Sequence, residues 1–165
     1  MHQTFISIVG VIHSGYEVSL LSEYLTNMHG VLKANFRDYE LILVNNTQQL
    51  DVEAKIRPLD AEVRQHIFML NLSMVVNKNH AILAGLDRAN GDYTVLWEFH
   101  FSQQAHLVVD LYEKTQAHHD IVYLRATGRQ GQKRWRVFYR LFYFILQKYS
   151  ELDIDPKAHN TRIIS

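Results

Sequence analysis

The sequence predicts an α/β fold, a three-layer α/β/α sandwich around a mostly parallel sheet, and three observations lead there. Apolar runs of strand length recur along the chain, and segments with helical spacing separate them. The first two runs are near-continuous Val, Ile and Leu, as in strands buried on both faces. No Pro/Gly/Ser-rich linker breaks the alternation, and the two prolines are Pro58 and Pro156. Strands and helices in strict alternation imply βαβ units with right-handed crossovers.

Each element has its own local justification. Residues 5–12 (FISIVGVI) form the first strand. Ser14 and Glu17 then stand at the spacing of a capping box, in which the serine caps a helix and the glutamate reaches back to its amide. Val18, Leu21, Leu25, Met28 and Leu32 follow at three- and four-residue intervals, the apolar stripe of a helix facing a sheet. Residues 39–44 (YELILV) make a second buried strand, which ends at the polar turn Asn45-Asn46-Thr47. A short helix at 52–56 stops before Pro58, and 66–70 (HIFML) is the third strand. Residues 77–89 are helical and closed by Asn90-Gly91, 93–97 is the fourth strand, 104–116 a helix and 121–124 a fifth strand.

Composition narrows the function classes. A chain of 165 residues with 47% apolar content suits one compact domain spanning residues 1–165. The absence of cysteine excludes disulfides and thiolate metal sites. Met1-His2-Gln3-Thr4 runs straight into a strand without the basic and cleavage features of a signal peptide, and no window approaches a membrane span. These features predict a cytoplasmic chain.

Its net charge is zero but unevenly placed. No acidic residue lies between Asp120 and Glu151, while Arg125, Arg129, Lys133, Arg134, Arg136, Arg140 and Lys148 do. Residues 133–149 add a wide apolar and aromatic surface around Phe142 and Tyr143. Such a segment is buried on two sides, pairs with a second copy or a partner protein, or lies on a membrane surface as a peripheral contact. Nucleic acid is the weakest partner class, because no recognised motif accompanies the charge.

Ligands of parallel sheets sit beyond the carboxyl ends of the strands. Here those ends carry His13-Ser14-Gly15, Asn45-Asn46-Thr47, Asn71-Leu72-Ser73 and Glu98-Phe99-His100. They offer hydroxyl, amide and imidazole groups with a single carboxylate. None of the ten histidines forms an HxH or HxxxH pair, and His100, beside Glu98, is the best metal candidate, with His13 as a companion.

Several stretches resemble family 2 glycosyltransferases, in particular the polyprenyl-phosphate, dolichyl-phosphate mannose synthase-like group. The resemblance covers residues 5–165. It is carried by ISIVGVIHSGYEVSLL, YELILVNNTQQ, the LAGLDRANGDY string running on to TVLWEFH, DIVYLRATGR and the final FYFILQKYSELDIDPKAHNTRIIS. It implies a GT-A, Rossmann-like fold, and it sets the family's functional positions on residues of this chain. The acidic residue after the first strand falls at Gly15. The two aspartates that contact base and ribose fall at Asn45 and Asn46. The DxD pair falls at Glu98 and His100, a further acidic position near Gln103, and the acceptor-side aspartate at Asn160, with Arg162 retained.

By that correspondence the chain is a glycosyltransferase-like domain stripped of most catalytic carboxylates, a pseudoenzyme with a binding or regulatory role in glycan or glycolipid assembly. A hard divalent cation needs oxygen ligands to hold a diphosphate, and Glu98 with His100 is a weak Mg²⁺ or Mn²⁺ pair. Asn160 is no base for an acceptor hydroxyl. His13, Ser14, Asn45, Asn46, Arg125, Arg129 and Arg162 remain as candidate contacts to a nucleotide or nucleotide-sugar. The competing expectations are an active sugar-nucleotide-dependent transferase built on these unorthodox residues, with Mg²⁺ or Mn²⁺ as its metal, and a basic amphipathic module docking on a membrane or partner protein.

Overall fold

The computed structural model describes residues 1–117, 121–125 and 158–164. In chain order these form β1 (His2–Ile12), α1 (Gly15–Asn35), β2 (Phe36–Asn45), α2 (Glu53–Ile56), α3 (Ala61–Arg64) and β3 (Ile67–Asn71). Then come α4 (Lys78–Arg88), β4 (Tyr93–Leu96), a 3-10 helix (Phe99–Gln104), α5 (Leu107–Thr115), β5 (Ile121–Arg125) and β6 (Ala158–Ile164). The strands make one sheet in the order β3-β2-β1-β4-β6-β5. β1 pairs in parallel with β2 and β4, and β2 with β3, whereas β6 runs antiparallel to both its neighbours. Mostly parallel, as the sequence predicts, the sheet thus carries one reversed strand.

Two faces of the sheet bury two apolar layers. On one, Ile6, Ile8, Leu41, Leu43 and Val95 pack with α1, the 3-10 helix and α5. On the other, Val9, Ile42, Val44 and Leu96 pack against Ala81 of α4. Alternate residues of β1 and β2 therefore serve opposite layers, which is why both strands read as unbroken apolar runs. α4 comes unusually close: a Cβ at Gly85 runs into Val9 Cγ1 and lies 2.9 Å from Val44 Cγ2. Gly91 is equally confined, because a Cβ there lies 2.7 Å from the Ser7 backbone nitrogen.

The loop from α4 into β4 is held by a buried polar knot at the end of the sheet opposite the strand tips. Ser7 Oγ donates to Glu40 Oε1 (2.6 Å), the Asn90 amide donates to the same oxygen (2.8 Å), and the Gly91 amide donates to Ser7 Oγ (2.8 Å). Glu40 is only 3% exposed, and Arg88 lies 4.0 Å from its other oxygen.

Where the structure departs from the sequence expectation, packing is the reason. β1 starts at His2, whose ring packs on Phe36 and Tyr112 with centroids 5.3 and 4.7 Å away. The predicted helix at 104–116 is split at Ala105 and His106. Buried Phe99, Ser102 and Ala105 recur every three residues, a spacing that aligns on a 3-10 helix. α3 and β6 are additions to the elements that the sequence predicts. The 133–149 segment and Arg129 lie outside the described residues.

Candidate functional site

Parallel pairing brings the strand tips to one edge. Ile12 is level with Asn45, and Asn45 with Asn71. α1 and α4 both begin at this edge. Between the tips of β1 and β4 lies a cleft of about 80 Å³, walled by Val9, Val11 and Leu96 from the sheet and by Ile82 of α4. His13, Tyr16, Glu17, Lys78, Glu98 and His100 supply its polar groups.

Glu98 and His100 come together as the sequence suggests, but with a third group. Lys78 Nζ donates to Glu98 Oε1 at 2.6 Å, and His100 Nδ1 is 3.5 Å from Glu98 Oε2. The Glu98 side chain is 18% exposed and that of Lys78 46%, so the pair sits at the mouth of the cleft with its carboxylate turned inward. Lys78 opens α4 directly after the cap Asn77, whose side chain accepts from the His80 amide. A search of the sequence for lost carboxylates passes over this lysine. The signal that finds it is a cation in the first turn of a helix that starts at the ligand-binding edge.

The two asparagines are committed within the protein. Asn46 is 1% exposed. Its Oδ1 accepts from the Val76 amide (2.9 Å) and its Nδ2 donates to the Val76 carbonyl (2.7 Å). These bonds fix the orientation of the amide, so the second Nδ2 proton goes to His13 Nδ1 at 2.8 Å. His13 Nδ1 is then an acceptor and the ring proton resides on Nε2, a buried atom without a hydrogen-bond partner among the described residues. Burial holds the His13 pKa below its ordinary value, with Glu17 opposing that shift and Lys78 assisting it. Asn45 donates to Asn71 Oδ1 (2.9 Å) and accepts from the Thr47 amide and hydroxyl. Asn46 thus ties down the loop that leads, two residues later, to Lys78.

Ser14 forms the expected capping box: its amide donates to Glu17 Oε2 at 2.9 Å and its hydroxyl accepts from the Tyr16 amide. Arg162 pairs with Leu96 across β4 and β6. Asn160 lies two residues before Arg162 in the same strand. Arg125 ends β5 and pairs with Ala158 there.

Mg²⁺ and Mn²⁺ ask for several oxygen donors around one point. Among the described residues no group of three or more His, Asp or Glu side chains is arranged to hold a metal. The donor set at the cleft is two carboxylates, Glu98 engaged by the Lys78 ammonium and Glu17 by the Ser14 cap, and the imidazoles of His13 and His100, which are not gathered around one point. It does not fit a hard divalent ion. Among the described residues no helix is long and apolar enough to cross a membrane.

No protein-family model matches the chain. It is 28% identical over 127 residues to the uncharacterized glycosyltransferase sll0501 of Synechocystis sp., covering 76% of this chain and 40% of that protein. It is 23% identical over 153 residues to the uncharacterized glycosyltransferase YkcC of Bacillus subtilis, covering 90% of this chain and 46% of that one. The chain therefore spans less than half the length of both relatives. Among solved structures, a mycobacterial protein superposes with a TM-score of 0.68 at 13% identity, over 98% of this chain and 53% of its own. The mannosyltransferase PcManGT from Pyrobaculum calidifontis, in complex with GDP-Man and Mn²⁺, superposes with a TM-score of 0.55 at 17% identity, over 85% and 39%. The chain is related to glycosyltransferases and shares the GT-A-like fold of such structures.

Proposed function

Starting from that relationship, we propose that the chain is a glycosyltransferase-like domain that binds a nucleoside-diphosphate ligand at its strand tips but has lost metal-dependent transfer. It serves a binding or regulatory role in glycan or glycolipid assembly. One observation carries this reading: the carboxylate at the DxD-like position, Glu98, is engaged by Lys78. The asparagines at the base- and ribose-contacting positions support the loss of transfer, since they carry no charge and bond to the protein's own loops. Transfer from a nucleotide-sugar discharges a multiply charged diphosphate, which a metal ordinarily neutralises. A cleft whose two carboxylates are engaged by Lys78 and by the Ser14 cap has little with which to hold that metal.

The test is calorimetry with UDP- and GDP-linked sugars, with and without Mn²⁺, alongside an assay for released nucleotide. Binding that ignores Mn²⁺, with no turnover, is the expected result. Mn²⁺-dependent tightening accompanied by sugar transfer or hydrolysis overturns the reading.

A further inference from the structure

The cleft already contains a cation. Lys78 Nζ lies 2.6 Å from Glu98 Oε1, close to where an ion held by that carboxylate has to sit. A divalent ion at Glu98 either displaces the ammonium or is repelled by it at short range. We propose that Lys78 takes over the role of the divalent ion: its ammonium, held at the tip of β4 by Glu98, meets the diphosphate of the ligand, and binding needs no metal. This rests on reading the cleft as a nucleoside-diphosphate site, and it adds which group neutralises the phosphates.

Three features of the site support it. An ammonium has three N–H donors, and Glu98 accepts from one of them. The half-exposed side chain leaves the others room to turn toward the cleft. Position is set by backbone devices rather than by chance: Asn46 clamps Val76, Asn77 caps α4, and Lys78 follows at once. Finally, Asn46 fixes the His13 ring so that Nε2 is a donor, and this proton has no acceptor among the described residues. A phosphate oxygen reaching past Lys78 is an acceptor of the right chemistry for it.

The same geometry sets the sign of two perturbations. Glu98 competes with the phosphates for Lys78, so removing its charge strengthens anion binding. Were Glu98 a metal ligand, removing its charge must weaken binding instead.

The experiment is calorimetry of UDP, GDP and inorganic pyrophosphate with the whole chain in EDTA. It uses wild type, Lys78→Met, Lys78→Arg and Glu98→Gln, each checked for folding by thermal melting. Wild type is expected to bind equally in EDTA and in Mn²⁺. Lys78→Met should weaken binding by about tenfold or more, the usual scale of a charge-assisted contact. Lys78→Arg should stay within about threefold, since the charge is kept, and Glu98→Gln should tighten binding severalfold.

Unchanged affinity in Lys78→Met, loss of binding in Glu98→Gln, or wild-type binding that appears only with Mn²⁺ each overturns the assignment of Lys78. Pyrophosphate binding that depends on Lys78, without discrimination of the nucleotides, supports that assignment and overturns the nucleoside reading. Nucleotide binding indifferent to Lys78 does the reverse. Silence from all three ligands overturns both.

Discussion

Asn46→Asp restores the side chain that the resemblance leads one to expect, and its consequence follows from the hydrogen bonds. Asn46 donates two protons, one to the Val76 carbonyl and one to His13 Nδ1. An aspartate has neither proton. The bond to the Val76 carbonyl is lost, at about 1 kcal/mol. The neutral His13 ring keeps its contact by moving its proton from Nε2, where it has no partner among the described residues, to Nδ1 and donating to the carboxylate. A carboxylate oxygen then faces the Val76 carbonyl in a site that is 1% exposed, and an unsatisfied buried acceptor adds roughly 1–3 kcal/mol. The sum is about 3 kcal/mol near pH 8.

Acid should relieve part of that loss. In the wild type, burial lowers the folded-state pKa of His13 below its ordinary value of 6.5. The unfolded chain then binds the proton more readily than the folded one, so His13 subtracts stability as pH falls below 6.5. His29, also lowered by burial, acts in the same direction. Beside the introduced carboxylate the His13 pKa is raised instead, because the negative charge favours the protonated ring. That stabilisation is present below the unfolded pKa and disappears as pH rises through the folded one. Urea unfolding of both proteins near pH 8 and near pH 5.5 measures the gap, which should narrow on acidification. An Asn46→Asp protein as stable as wild type near pH 8, or a gap that widens in acid, refutes the reasoning.

Two further substitutions test the framework of the site. Gly85→Ala gains about 1 kcal/mol of helix propensity but drives a methyl into Val9, and overpacking of this kind costs roughly 1–3 kcal/mol. A net loss in denaturant titration, partly recovered by adding Val9→Ala, is expected, and a stabilised Gly85→Ala protein contradicts the close approach of α4. Glu40→Ala removes the acceptor shared by Ser7 and Asn90 and should cost about 3 kcal/mol in the same titration. A change below about 0.5 kcal/mol means the knot is not held through Glu40.

Local signals are readable in the sequence, and long-range ones are not. Ser14 and Glu17 announce α1 because cap and partner lie three residues apart. The order of β1 and β4 as neighbours follows from the fold class. β6 stays hidden because its seven residues, AHNTRII, are apolar only at Ala158, Ile163 and Ile164 and so show no strand period, and nothing nearby reveals that it slots between β4 and β5. The Lys78–Glu98 pair joins a helix start to a strand tip across twenty residues, so neither residue flags the other. Asn45 and Asn46 are correctly placed at a strand end, but whether their amides face a ligand or their own loops depends on where residues 71–76 run. Glu40 is marked by its charge within YELILV, since a lone acid in a buried strand needs partners.

The reversed strand also bears on how the molecule is assembled. β1 to β4 are complete in sequence before β6 exists, yet the free side of β4 is covered only when residues 158–164 arrive. During synthesis on the ribosome, β4 waits with unpaired amides and carbonyls while residues 97–157 emerge. Pairing at such separation is entropically slow and leaves a template for misassociation while it is pending. Because Leu96 and Arg162 are partners in that last step, the wall of the cleft beside Glu98 matures late, after the four parallel strands have already settled.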